Sequence, residues 1–511
     1  MNISSTPYEN PLYTEVMKIG DFEIRPLDLL EHVLATGGTG SGKTRSFLLP
    51  CVERVLERFG NDPEEKAAML LIDAKGDMAE LAGECIRRSG RKDTVYILGA
   101  GGNCWFSFLE QFKGDPTAVA NFLFETLEDR TGDGSCDNES FWEENARRLL
   151  RAGVICAKAS HGPELGGLLG IRDGVNLVLA IKDKNDSDEG DSSESESGLS
   201  AFNKVISNGL RDGRLTGHER DDVKDYVQRD VIPGYSNTWG TIANMTRNYI
   251  AQFSQPALQE LFQQSEGKRK IIPEELIEEG LLLIISLSPV IYREAATPFR
   301  IAVKKTFFER ILQRNHLVTG RRGEEREINQ IRPILCVMDE FHTTLSPKGR
   351  SSDAYFLDRA REFRCMCILA TQGISAIASI IKSDGMRNHL LNNCRTKFFF
   401  GNDCPQTSEY FESLGGSVHR IVKSLRFERV EAPPRFRLPN HEFVDSPRTS
   451  FTGYTIESRR EPRFSGAEVG SLPNGSALVV KKGRELIRFT LDPKAYATGI
   501  RQEAASDNTE I

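Results

Sequence analysis

Short apolar runs rich in branched side chains recur along the chain, at 32–36, 69–73, 94–98, 281–287, 334–339, 366–371 and 396–400. Each is too short for a helix and lacks an in–out alternation, the pattern of a strand buried on both faces of a mostly parallel sheet. Helical periodicity fills most gaps between them, as in the amphipathic stretch 45–59, so the order predicts an α/β layer architecture. From 108 to 272 the pattern changes. Helical spacing appears at 143–157 and 257–264 with little that reads as strand, which predicts an all-α insertion between two halves of one sheet. The expected organisation is a short N-terminal tail and first sheet half in 1–107, the insertion in 108–272, the second half in 273–495 and a disordered tail in 496–511. Within the insertion, 182–200 (KDKNDSDEGDSSESESGLS) is acidic and small-polar and predicts a solvated, disordered loop. Residues 418–464 are dense in arginine and proline and predict an irregular excursion, after which 476–480 and 486–491 predict a closing hairpin.

At 511 residues, 39% hydrophobic and 27% charged, the chain has the composition of a core-forming globular protein, with room for one motor core and an insertion. The formal charge of -7 excludes a diffusely basic nucleic-acid coat, so DNA binding would need a local basic surface. The most apolar run, 281–287, is far shorter than the ~20 residues of a spanning helix. Residues 1–20 show no signal sequence, and a cytoplasmic location is expected. Ten scattered cysteines contain no C-x-x-C pair and read as reduced thiols, with Cys365 and Cys367 as core-strand residues.

The chemistry concentrates after the first apolar run. Gly37, Gly38, Thr39, Gly40, Ser41, Gly42, Lys43 and Thr44 spell a complete G-x-x-x-x-G-K-T loop between a strand and a helix. Such a loop wraps phosphate oxygens in backbone N–H groups, brings its lysine to the β and γ phosphates and offers its threonine hydroxyl to Mg2+. ATP and Mg2+ are the expected cofactors. A second acid must hold the metal's water shell. The run 334–340 ends in Asp339 and Glu340, giving Asp339 to the metal and Glu340 to the attacking water as general base. The run 70–77 (LLIDAKGD) also ends in an acid, but without an adjacent carboxylate. Gln372 ends the run 366–372 and is a candidate contact to the γ-phosphate or the water. The stretch 358–364 (DRAREFR) offers arginines for a trans-acting finger.

Together these motifs resemble the conjugative type IV secretion coupling proteins, within the FtsK–HerA class of ring-shaped DNA-translocating ATPases. The resemblance is carried by HVLATGGTGSGKT, by LLIDAKGDM with Ala74 in place of the usual proline, and by SFWEENARRLLRA at 140–152. MDEF, ATQ, NNCRTKFFFGND and LPNGSALVVKKG follow in order. It implies a RecA-like P-loop NTPase, a homo-hexamer with DNA in a central channel, and relaxosome or secretion-channel partners. It also places the trans arginine at Arg361, ahead of Arg364 and Arg395. The sequence departs from the family in lacking a spanning pair before the motor. That leaves two alternatives beside a coupling protein held at the inner membrane by a partner: a soluble HerA/FtsK-like ATPase of plasmid, phage or defence biology, and a nucleotide-dependent adaptor with little turnover.

Overall fold

The computed structural model describes residues 16–491, apart from 61, 64–65, 129–138, 183–191, 235, 252–254, 263–266, 321–331, 348–351, 431–434, 438–441, 445–447 and 482–484. An N-terminal hairpin, β1 (Met17–Ile19) and β2 (Phe22–Ile24), precedes the sheet strands β3 (Val33–Thr36), β4 (Ala68–Asp73) and β5 (Val95–Gly99). A short pair, β6 (Cys104–Phe106) and β7 (Arg269–Ile271), brackets the helical region. The sheet resumes with β8 (Leu282–Ser286), β9 (Ile334–Met338), β10 (Cys365–Thr371) and β11 (Thr396–Phe400).

The apolar runs assemble into one nine-stranded sheet. Its order ends on the hairpin β16 (Ser476–Lys481) and β17 (Glu485–Thr490): β17-β16-β11-β3-β10-β9-β4-β8-β5. Strands β11 to β5 in that order run parallel, and only the pairings of β16 with β11 and with β17 are antiparallel. This is a P-loop NTPase fold of the α/β, RecA-like kind. The central strands are buried on both faces, which is why they read as unbroken apolar runs. The pleat still sorts their side chains. In β4, Met69 and Leu71 join the core under the helices Leu49–Arg58 and Ala79–Arg88, while Leu70 and Ile72 join the larger core shared with the helical region.

Between β6 and β7 the chain is helical. The long helix Glu139–His161 packs on Pro116–Glu128, Gly167–Leu179, Ser192–Arg211 and Ser236–Ala251. Its inward face is the 3.6-residue stripe Ala146, Leu149, Leu150, Val154 and Ala157.

The structure corrects three expectations. The second half of 182–200 is not loop but the start of the helix Ser192–Arg211; 183–191 lie outside the described residues. The acidic composition masked a helical stripe that begins at Leu199 and continues through Phe202 and Ile206, both fully buried. Residues 418–464 are not irregular. β12 (Ser417–Val430) and β15 (Arg448–Pro462) form a long antiparallel ribbon, with a second pair, β13 (Arg435–Arg437) and β14 (Glu442–Val444), between them. Ile421, Leu425 and Phe427 share one face of β12 with Lys423, so neither face reads as apolar and a count of arginine and proline hides the strand. Finally, part of the presumed N-terminal tail is the hairpin β1–β2, whose Phe22 packs edge-on against Phe398 and Phe489. The expected C-terminal tail, 496–511, lies outside the described residues. Among the described residues, no helix is long and apolar enough to cross a membrane.

Candidate nucleotide site

The strand order decides what stands beside the G-x-x-x-x-G-K-T loop. β10 lies between β3 and β9, so the carboxyl ends of all three converge. The Gly37 N–H donates to Thr371 O (3.2 Å) and the Gly38 N–H to Gly401 O (2.9 Å), tying the loop's entry to the ends of β10 and β11. Its exit is held by Gly475, whose N–H donates to Ser41 O at 2.9 Å. Gly42 has φ +98°, and a Cβ there would lie 2.8 Å from the Gly475 nitrogen, so only glycine fits. The chain then enters one wide helical turn, Lys43–Leu48, that runs into the helix Leu49–Arg58.

The loop's polar groups are those a phosphate chain needs. The Lys43 ammonium is buried and folds back on its own loop, donating to Gly37 O and, at 3.1 Å, to Gly38 O. Burial lowers its pKa, against the opposing pull of Glu340 and Asp339. Among the described residues, Ser41 Oγ and Ser46 Oγ are buried without hydrogen-bond partners. Unpartnered hydroxyls and a buried ammonium resting on loop carbonyls fit an anionic ligand. Residues 38–45 line one cavity of about 320 Å3 with Lys75, Asp77, Met78, Leu81, Asp339 and Glu340.

Asp339 and Glu340 leave the end of β9 buried, with the Asp339 N–H donating to Ile72 O at 3.0 Å. Burial, then the neighbouring Glu340, push the Asp339 carboxyl up to about 6, against the cations Lys75 and Lys43. Glu340 adopts a left-handed backbone, φ +47° and ψ +47°, an uncommon conformation for a residue with a Cβ. That turn aims its side chain back across the sheet. Burial alone would raise its pKa, but the Lys75 ammonium, 2.8 Å from Oε1, and Lys43 bring it below the usual value. Gln372 Nε2 donates to the same Oε1 at 3.4 Å, and Asn402 Nδ2 donates to the Gln372 carbonyl at 2.5 Å.

The sequence reading missed two residues here. Lys75 stands in LLIDAKGD, where attention fell on the acid. His342 has Nδ1 3.6 Å from Glu340 Oε2 and 3.2 Å from Thr371 Oγ1, and burial lowers its pKa. Its only sequence signal is its place two residues after Glu340.

Asp73, the rival metal acid, is engaged elsewhere. Its carboxylate accepts from the backbone N–H groups of Lys75 (3.1 Å), Gly76 (2.9 Å) and Met78 (2.9 Å), and it does not line the loop's cavity. The three arginines lie far from the loop of their own chain. Arg364 and Arg395 directly precede β10 and β11, at the strand ends opposite the site, which for β10 is ~20 Å away. Arg361 sits at the same end, with Nη1 3.2 Å from Glu31 Oε1.

Comparison with solved structures finds the same architecture. The bacterial conjugative coupling protein TrwBdeltaN70, in an unbound form, aligns over 94% of this chain and 88% of its own, at 16% identity and a TM-score of 0.55. This chain has the fold of the conjugative coupling proteins. The plasmid coupling protein TrwB in complex with ADP and Mg2+ aligns over 93% and 88% of the two chains at 17% identity and a TM-score of 0.55. Its complex with the non-hydrolysable ATP analogue ADPNP gives 15% identity and 0.54 over the same coverage. No protein-family model and no curated protein matches the chain. The coupling-protein fold therefore rests on architecture, retained at an identity far below what sequence matching detects.

Proposed function

We propose that this protein is a Mg2+-dependent ATPase that moves DNA, working as a coupling-protein type of motor in conjugative transfer. One observation carries the reading: the loop of β3 and the acid pair of β9 share one small cavity, with Gln372 of β10 on the pair's carboxylate. The adaptor reading loses ground on the same observation, since binding alone needs no buried carboxylate in a strained turn beside the phosphate loop.

Residues 37–44 hold the triphosphate, Lys43 turning from its loop carbonyls to the β and γ phosphates. Thr44 and, through water, Asp339 would hold Mg2+, which when bound would supply Lewis-acid neutralisation of phosphate charge. Glu340 orients a water in line with the γ-phosphorus and takes its proton as the new P–O bond forms and the bond to the ADP oxygen breaks. Gln372 holds the Glu340 carboxylate in place and senses the phosphate. Arg361 completes the site of a neighbouring subunit in a hexameric ring, which accounts for its place at the far end of the sheet. A six-fold ring around DNA is the assembly this requires.

Phosphate release with and without DNA, together with imaging in an ATP analogue and DNA, tests the reading. DNA-stimulated turnover that weakens steeply with salt, and a six-fold ring with density in its pore, are expected. A monomer whose turnover ignores DNA contradicts the motor. For Arg361, Arg361→Ala subunits should bind ATP without turnover, and mixing them with Glu340→Gln subunits should restore activity at junctions that pair an intact base with an intact finger. No rescue in demonstrably mixed rings removes Arg361 from this role.

A further inference from the structure

Asp73 of the run LLIDAKGD does not line the phosphate loop's cavity, yet the loop that follows it is held at several points. Asp73 spends its carboxylate on three backbone N–H groups of that loop. The buried Arg300 donates from Nη1 to Ala74 O at 2.6 Å. Gly76 has φ +84°, and a Cβ there would come within 2.7 Å of the Ser288 Cβ, so the turn leaves no room for a side chain. All this fixes the backbone of one residue between them, Lys75.

Its side chain is placed differently from its backbone. Lys75 is 47% exposed while its partner Glu340 is 5% exposed, and the Nζ to Oε1 distance is 2.8 Å. Lys75 and Glu340 both line the 320 Å3 cavity of the phosphate loop and a second cavity of about 830 Å3 on the other side of the pair. A rigid root with a half-exposed four-carbon stem lets a compact ammonium exchange partners without moving the fold. The partner it holds here is the carboxylate that must accept a proton from water. With Oε1 occupied by an ammonium, that carboxylate is a weaker base and has one oxygen fewer for the water.

We propose that Lys75 is a γ-phosphate-responsive latch: it rests on Glu340 while the site is empty or holds ADP, and transfers to a γ-phosphate oxygen when a triphosphate binds. The transfer frees Oε1 for the attacking water at the moment a cleavable bond is present, so the base is armed by the substrate itself. This rests on the ATPase reading above, and the test separates the two.

The discriminating measurement is nucleotide affinity. In the full chain with Mg2+, calorimetry should show the non-hydrolysable ATP analogue binding more tightly than ADP. Lys75→Met should weaken the analogue about tenfold or more, a typical loss for one charged phosphate contact, and leave ADP within about twofold. Lys75→Arg, which keeps the charge, should restore most of the analogue's affinity. If Lys75→Met changes both nucleotides equally, or neither, the ion pair is structural and the latch is wrong, while Lys43→Ala still reports on the ATPase reading independently. Should Lys75→Met not fold, Lys75→Gln with the same pair of titrations decides on the same terms. A wild-type chain that binds neither nucleotide overturns both proposals.

Discussion

At the carboxyl ends of β3 and β9 the chain buries charge: Lys43, Asp339 and Glu340 are each less than a tenth exposed. In the ribbon of β12 and β15 it leaves apolar surface in the open. Ile421, Leu425 and Phe427 lie on one face of β12, opposite Ser458, Tyr454 and Phe451 across the ladder, with Ile456 between them, and Ile421 is 77% exposed. The two regions depart from the apolar-inside rule in opposite directions, for different physical reasons. Buried charges persist where opposite charges lie a few ångströms away and strand ends hold them there, as the half-exposed Lys75 does for the buried Glu340. The ribbon needs no core to exist, because its ladder satisfies the backbone along its length, and it is anchored at its root. There Phe464 stacks on Phe411, with centroids 5.3 Å apart, against the face of Gly415. A site can thus be costly in sequence and rigid, while an arm is inexpensive and structurally separable.

The contrast breaks first at Lys43. Lys43→Ala should lower phosphate release by at least about a hundredfold, since the contact acts on transition-state charge. Retention of most of the rate would place the chemistry elsewhere. At the ribbon's root, Phe464→Ala should cost about 3 kcal/mol by chemical denaturation, the usual price of an emptied aromatic site.

A third effect comes from His32, which lies at the amino end of β3, away from the loop, and donates from its Nε2–H to Leu357 O at 2.9 Å. Burial, with Arg361 adding to it, holds its pKa down to about 4 from 6.5, against the backbone hydrogen bond. The folded form therefore binds fewer protons than the unfolded one. Its contribution is intact above about pH 6.5 and is lost as the pH falls toward 4, up to an order of 3 kcal/mol. His32→Gln should flatten that part of the stability profile; an unchanged slope would show that His32 is not the group responsible. Smallest of all, Ile421→Ser and Phe427→Ser should shift stability by no more than about 0.5 kcal/mol. A shift comparable to that of Phe464→Ala would mean that the ribbon face packs on its own chain.

The sheet was legible because strands buried on both faces write continuous apolar runs, and the loop from Gly37 to Thr44 could be placed at the end of β3 because its glycines, lysine and threonine come at fixed spacing between a strand and a helix. What surrounds the loop was harder to read. That β10 lies between β3 and β9 is a property of strand order, which no local pattern encodes, and it is this order that brings Gln372 to Glu340 and Thr371 to His342. Lys75 was hidden for the same reason, its partner lying on another strand. The ribbon was obscured by its own composition: arginine and other polar residues on both faces of its strands make every window look polar. The helix that begins at Ser192 was lost beneath acids that precede its buried stripe.

Glu340→Gln gives the most direct test, because it separates holding a nucleotide from cleaving it. Calorimetric binding of an ATP analogue should stay within a few-fold of wild type, while single-turnover phosphate release falls by a factor on the order of 100 to 10,000. Release at close to the wild-type rate, with binding intact, would contradict the assignment of Glu340 as the base and with it the account of how this site hydrolyses ATP.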